Sequence, residues 1–332
     1  ALPLLALLLL SSATLASLSS AKILPTPKSV VMSEGRFTIP AQADVAKIAK
    51  ATVDKTLAAE AYTLSITPKA ITITGGSDTG VFWATQSLLQ LVETDKAGKR
   101  TIACQTITDE PTYRWRSFML DSGRQYQTIA HLKKTLDWMA RYKLNIFHWH
   151  LTESDGWRIE IKSQPKLTEI GSKVSTGKEQ QGFYTQAEIR EVVAYAKARH
   201  ITIVPEIDLP GHAFALMASY PEFSCKGTVD PKATDKKTRM NPIVCAGKAE
   251  ADNYKFLASI LNEVCDLFPN SPYIHTGGDE APKAHWDQCP SCQALLKKHN
   301  LKNMHELQIH FTNRIAAILK ARGRKAICWD DV

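Results

Sequence analysis

The sequence predicts an α/β chain: a (β/α)8 TIM-type barrel truncated after about the fifth strand, preceded by a small α+β domain. Three observations predict it. From Arg116 onward a strand, a loop and a helix recur five times. Titratable residues follow each strand at the same place in the repeat. Before Thr108 that rhythm is missing, and alternating strands lead into one helix.

Residues 1–21 read as a secretory leader. Leu2–Leu10 is almost wholly apolar and Ser11–Ser20 is small and polar, an apolar core followed by a cleavage zone near Ser20-Ala21. No Met or basic stretch precedes the run, so the leader is expected to be partial. The run falls short of the roughly 20 apolar residues of a membrane span, which argues against stable membrane insertion. The expectation is an exported protein: periplasmic, cell-surface or extracellular.

Residues 22–110 are expected to form a non-catalytic α+β unit. Tyr62–Ile66 and Ala70–Thr74 alternate apolar and polar side chains, as half-buried strands do. Gly75-Gly76 stops the pattern. Val81–Val92 then spaces Phe82, Leu88, Leu89 and Val92 at helical intervals. Thr108-Asp-Glu-Pro111 marks the boundary.

Residues 111–332 carry the repeat. Ser117–Leu120 is the first strand, and Ile129, Leu132, Leu136 and Met139 mark a helix face. Leu144–His148 is the second strand. Thr185-Gln-Ala-Glu188 is a capping box opening a helix with Ile189, Val192, Val193 and Ala196 inward. Ile201–Val204, Tyr273–His275 and Lys325–Trp329 are the remaining strands. Between them lie helices marked by Phe256, Leu257, Ile260, Leu261 and Val264, and by Asn303–Glu306 at the start of a run to Arg322. Closure takes eight strands, so the barrel is expected to be C-terminally incomplete, with an open parallel sheet as the alternative.

The formal net charge is +8, but Lys and Arg are spread along the chain rather than clustered, which argues against a nucleic-acid partner. Seven cysteines suit an oxidising compartment. Cys289-Pro-Ser-Cys292 is a CxxC pair, a spacing that also serves redox and zinc sites. No second CxxC and no thioredoxin-like context accompany it. Structural disulfides Cys225–Cys245 and Cys289–Cys292 are therefore expected. Cys104, Cys265 and Cys328 read as small buried residues.

The strand ends supply Asp121 and Arg124; His148, His150 and Glu153; Glu206, Asp208 and His212; His275, Asp279 and Glu280; Trp329, Asp330 and Asp331. In a barrel these converge on one face, where active sites sit. Singly, each reads as a cap, a core histidine or a structural pair. Gly277-Gly278-Asp279-Glu280 is the sharpest feature: two glycines permit a tight turn, and two carboxylates can divide acid and electrostatic roles. Trp149, Trp157, Trp286 and Trp329 suit either sugar stacking or the core.

With these motifs in view, the chain resembles the β-N-acetylhexosaminidases of glycoside hydrolase family 20. The matching segments are Phe118-Met-Leu-Asp121-Ser-Gly-Arg124, His148-Trp-His150-Leu-Thr, Pro205-Glu-Ile-Asp208-Leu-Pro-Gly211-His212, His275-Thr-Gly-Gly-Asp279-Glu280 and Trp329-Asp330. The resemblance implies exo-acting, retaining hydrolysis of terminal β-linked N-acetylhexosamine from an oligosaccharide or glycoconjugate, with no cofactor and no metal. The substrate's own acetamide would be the nucleophile. Glu280 would be the acid/base, and Asp279 would orient the acetamide and stabilise the oxazolinium ion. Arg124, His150, His212, Trp329 and Asp330 would contact the sugar, with Glu153, Asp208 and His275 behind them. The family usually carries Asp where this chain has Glu153, so either Glu153 or Asp155 would serve His212. The later strands of the family bring further sugar contacts that lie beyond Val332. Two other readings stand beside this one: a metal-dependent barrel hydrolase using His148, His150, His212, His275 and Asp208, and a sugar-binding barrel without catalysis.

Overall fold

The computed structural model describes residues 23–332 except 241, 249–252 and 331. The leader expected over residues 1–21 and Asp331 lie outside the described residues. The chain divides into two compact units after Glu110.

In the first unit, β1 (Ser29–Thr38), β2 (Lys50–Val53), β3 (Tyr62–Ile66), β4 (Ile71–Gly75), β5 (Glu93–Thr94) and β6 (Arg100–Asp109) form one sheet. Its order is β1-β6-β3-β4-β2, with β5 beside β6. β3 buries Tyr62, Leu64 and Ile66 and leaves Thr63 and Ser65 on the other face, the two-residue period of a half-buried strand. Helix Asp78–Gln90 begins at Ser77, whose hydroxyl accepts the Thr79 N–H at 3.1 Å. It buries Trp83, Ala84 and Leu88 in one core with Leu64, Ile73 and Ile102. The helix starts three residues before the periodic run at Val81, because Asp78, Thr79 and Gly80 form a first turn without an apolar stripe. β1 gave no alternating signal because it is exposed along most of its length.

In the second unit, the strands are β7 (Ser117–Asp121), β8 (Ile146–His150), the short pair β9 (Thr152–Glu153) and β10 (Gly156–Trp157), then β11 (Thr202–Glu206), β12 (Tyr273–His275) and β13 (Lys325–Ile327). β7, β8, β11, β12 and β13 make one five-stranded parallel sheet in chain order. Helices Ile129–Arg141, Gln186–Lys197, Asn253–Leu267 and Met304–Ala321 lie between successive strands. The capping box at Thr185 is formed from both sides with Glu188. Leu132, Leu136, Ile189, Val192, Leu261 and Val264 are buried, so the periodic stripes face inward. The second strand lies two residues later than its apolar run suggested. Its last three positions are His148, Trp149 and His150, and the histidines masked a buried strand end.

Two expectations are corrected, and the choice left open for the tryptophans is resolved. Neither Cys225–Cys245 nor Cys289–Cys292 is a disulfide; all seven cysteines are free, and the four sulfurs of these pairs converge on one another. Cys328 is exposed, whereas Cys104 and Cys265 are buried. Trp149, Trp157 and Trp286 are core residues with no free face for a sugar. Arg158, also fully buried, went unread in the sequence. It donates to the carbonyls of Ser122, Gly123, Asp155, Ser172 and Gly182, and burial lowers its pKa to about 10. No helix among the described residues is long and apolar enough to cross a membrane.

Candidate active site

Strand register sets the site. Asp121 pairs with His150, His150 with Glu206, and Glu206 with His275, and these are the last residues of β7, β8, β11 and β12. In-register neighbours of a parallel sheet point to the same face. One level of the sheet thus carries two carboxylates and two imidazoles.

Glu206 is the centre of this level. Its carboxylate lies 2.7 Å from His148 Nε2, 2.5 Å from His150 Nδ1 and 3.0 Å from His275 Nδ1, and accepts the Trp329 indole N–H at 2.9 Å. The group is wholly buried. Burial pushes its pKa up, but the three histidine contacts outweigh that and hold it far below the usual carboxylate range. His150 shows the reverse balance: burial disfavours its charge, and Glu206 raises its pKa above the ordinary value. Trp329 stands with its ring 4.7 Å from that of His275 and 5.6 Å from that of His148.

A second chain of contacts leads to the Asp-Glu loop. Glu153, buried in β9, lies 2.5 Å from His212 Nδ1 and 2.6 Å from Arg124 Nη2. The opposite ring nitrogen of His212 is 3.5 Å from both Asp279 Oδ2 and Glu280 Oε2, ion-pair range rather than a hydrogen bond. Burial depresses the His212 pKa, but Glu153 first, and then Asp208 and Asp279, raise it to about 9. Asp208 runs the other way: burial, aided by the Asp279 charge, lifts it well above the usual range. It accepts the Gly278 N–H at 3.1 Å, a contact that offsets part of that rise. Arg124 also binds Asp121, with Nη1 2.6 Å from Oδ2, and stays half exposed.

The loop after β12 has a glycine requirement. Gly277 has φ +64°, and a Cβ there would sit 1.8 Å from Asp208 Oδ1. Gly278 and Glu280 also take positive φ, at 101° and 45°. The turn leaves Asp279 with 28 % of its side chain accessible and Glu280 with 69 %. One carboxylate is sheltered and one open.

Arg124, His150, Glu153, Asp208, His212, His275, Asp279, Glu280 and Trp329 thus belong to one connected set. Asp330 is exposed past the end of β13 and has no contact with the others described. Asp155 pairs with Arg239 at 2.8 Å rather than with His212. The sequence offered Glu206 only as a structural pair for some buried donor; which side chains it joins was not legible. The available signal was the shared spacing of His148 and His150, which leaves both imidazoles on one face in need of a partner from the adjacent strand.

Ionisable side chains gathered at the carboxyl ends of successive parallel strands are the site arrangement of β/α enzymes. Residues 113–332 match the catalytic domain of glycosyl hydrolase family 20, and residues 43–110 match domain 2 of that family. The chain belongs to glycosyl hydrolase family 20. It is 40% identical over 286 residues to a beta-hexosaminidase of Porphyromonas gingivalis, covering 82% of this chain and 36% of that protein. A beta-hexosaminidase of Akkermansia muciniphila is 38% identical over 278 residues, covering 82% of this chain and 56% of that protein. The crystal structure of a beta-N-acetylhexosaminidase from Bacteroides fragilis superposes with a TM-score of 0.84 at 41% identity, over 93% of this chain and 66% of that one. The chain therefore spans roughly a third to a half of the length of these curated relatives.

Proposed function

We propose that the protein hydrolyses terminal, non-reducing β-linked N-acetylhexosamine by a retaining, substrate-assisted mechanism. The five parallel strands and the four helices between them are then part of a (β/α)8 barrel, residues 22–110 a non-catalytic domain, and residues 1–21 a leader for export. The relatives are much longer than the matched region, which leaves length for further strands. The observation that carries the proposal is His212, which faces buried Glu153 through one ring nitrogen and both Asp279 and Glu280 through the other.

Glu280, open to solvent, protonates the leaving oxygen and then activates water. Asp279 orients the acetamide N–H and stabilises the positive charge as the acetamide oxygen attacks C1. That attack is intramolecular, so it gains from proximity. His212, held cationic at neutral pH by Glu153, sets the field around both carboxylates. Arg124 has donors beyond its two carboxylate contacts to hold sugar hydroxyls. Trp329, locked by Glu206, walls the acetamide. Glu206 also accounts for His148, His150 and His275, the imidazoles a metal-ligand reading would use.

The test is turnover by the full-length protein of aryl N-acetyl-β-glucosaminides that differ in leaving group. Glu280→Gln should cost about 10²–10⁴-fold with poor leaving groups and far less with good ones. A uniform loss would remove Glu280 from the acid role. The matching aryl β-glucosides, which lack the acetamide, should not turn over; comparable rates on both would overturn the mechanism.

A further inference from the structure

We infer that Cys225, Cys245, Cys289 and Cys292 form a structural zinc site. Cys225 and Cys245 lie in the segment after β11. Cys289 and Cys292 open helix Pro290–Lys298 after β12. Their four sulfurs all lie within 4.8 Å of one another. Cys225 to Cys292 is 3.9 Å, and Cys245 is 3.7 Å from both Cys289 and Cys292. A disulfide requires about 2.05 Å between sulfurs. Tetrahedral zinc with bonds of about 2.3 Å puts its sulfurs about 3.8 Å apart, since a tetrahedron's edge is roughly 1.63 times its centre-to-vertex distance. All three measured edges match the tetrahedron.

The surroundings are built for thiolates. The Gly247 N–H points at Cys292 Sγ at 3.3 Å and the Lys248 N–H at Cys245 Sγ at 3.5 Å. Such donors are the outer support that metal-bound sulfurs use. Gly247 has no alternative residue, because a Cβ there would lie 2.1 Å from the Ser291 carbonyl carbon. That close approach lets the Cys245 turn press on the Cys289–Cys292 turn. Cys289 is the N-cap of its helix, where the positive end of the dipole favours a thiolate. Cys225 is fixed beside Cys245 by the pairing of Ser224 with Val244, and by the Cys245 N–H, which donates to the Phe223 carbonyl at 3.0 Å.

Zinc binding replaces four thiol protons, which pass to water, with four Zn–S bonds. No oxidation state changes, and the centre carries a net charge of 2−. The Lys248 ammonium is held by the carbonyl of Ser224, the chain neighbour of Cys225, at 3.0 Å. The Val244 N–H donates to the Pro210 carbonyl, two residues before His212, and Trp286 donates to the Val244 carbonyl. The site therefore clamps together the segments that carry His212 and the Asp279–Glu280 loop. It stands whether or not the proposed hydrolysis does.

The test is elemental analysis of the full-length protein, purified under reducing conditions without chelator, with X-ray absorption at the zinc edge. The expected result is one zinc per chain with four sulfur neighbours. Cys225→Ser should lose most of the retained zinc and lower the thermal midpoint, while Cys328→Ser, at an exposed cysteine, should keep both. The wild-type measurements do not depend on any variant folding. Folded protein with no stoichiometric zinc, zinc bound through nitrogen or oxygen, iron in its place, or an intact mass lowered by the four hydrogens of two disulfides would each overturn the inference.

Discussion

Glu153 closes on His212 Nδ1 at 2.5 Å. The same oxygen also reaches Arg124 at 2.6 Å, so one buried carboxylate serves a histidine and an arginine. The titration of His212 follows from this contact. Its folded pKa, about 9, lies above the roughly 6.5 of a free imidazole, so the stability it adds is complete below about pH 6.5 and is lost as pH rises through about 9. Glu153→Gln removes the strongest partner that favours the cation. The alkaline limb of kcat/KM should then move from near pH 9 toward neutrality; a limb that stays in place would mean that another group sets it. Asp208 has the opposite sign. Its raised pKa makes the folded protein lose stability as pH climbs above about 3.9, so Asp208→Asn should be at least as stable as the parent at pH 7 in urea titrations. A variant clearly less stable there would show that the ionised form is the one the fold needs.

The loop after β12 turns on two glycines, and Gly277 is the more tightly held. Gly277→Ala must bear both a left-handed backbone and a methyl group 1.8 Å from Asp208 Oδ1. Backbone strain alone should cost about 1–3 kcal/mol in denaturant unfolding, and Asp279 should shift with the loop, so hydrolysis should fall more than stability does. Unchanged activity would mean that the loop relaxes without moving the carboxylates. The sequence made elements of this kind legible wherever the signal is local. The strand ends fall within two residues of their apolar runs, and Thr185 and Asn303 cap the helices their side chains mark. Signals that join distant segments were not legible. Nothing near Glu206 in the chain shows that His148 and His275 will flank it, since the pairing depends on register between strands. Cysteine spacing failed for the same reason: neighbours in sequence suggested disulfides, whereas the fold brings Cys245 against both Cys289 and Cys292. Arg158 was silent because its partners are carbonyls, which leave no trace in side-chain identity.

Across the whole second unit, Glu206 is the tie between repeats. It holds histidines from β8 and β12 and the tryptophan that follows β13. Losing a buried charge partner costs about 3–5 kcal/mol, so Glu206→Gln should lower global stability by that order at neutral pH. The sign of its titration adds a second check. Its folded pKa is depressed, so its contribution is present above about pH 4.3 and fades as pH falls below that. The gap between variant and parent should therefore narrow in acid; a gap independent of pH would point to packing rather than charge.

The row Asp121, His150, Glu206 and His275 takes one residue from each of four strands. The turn Lys178–Gln180, with no buried residue, falls midway between them in the chain. A polypeptide divided there would leave Asp121 and His150 on one fragment and Glu206 and His275 on the other. Neither fragment alone would hold all four residues of the row. The row is thus a natural complementation reporter, switched on by the meeting of two halves.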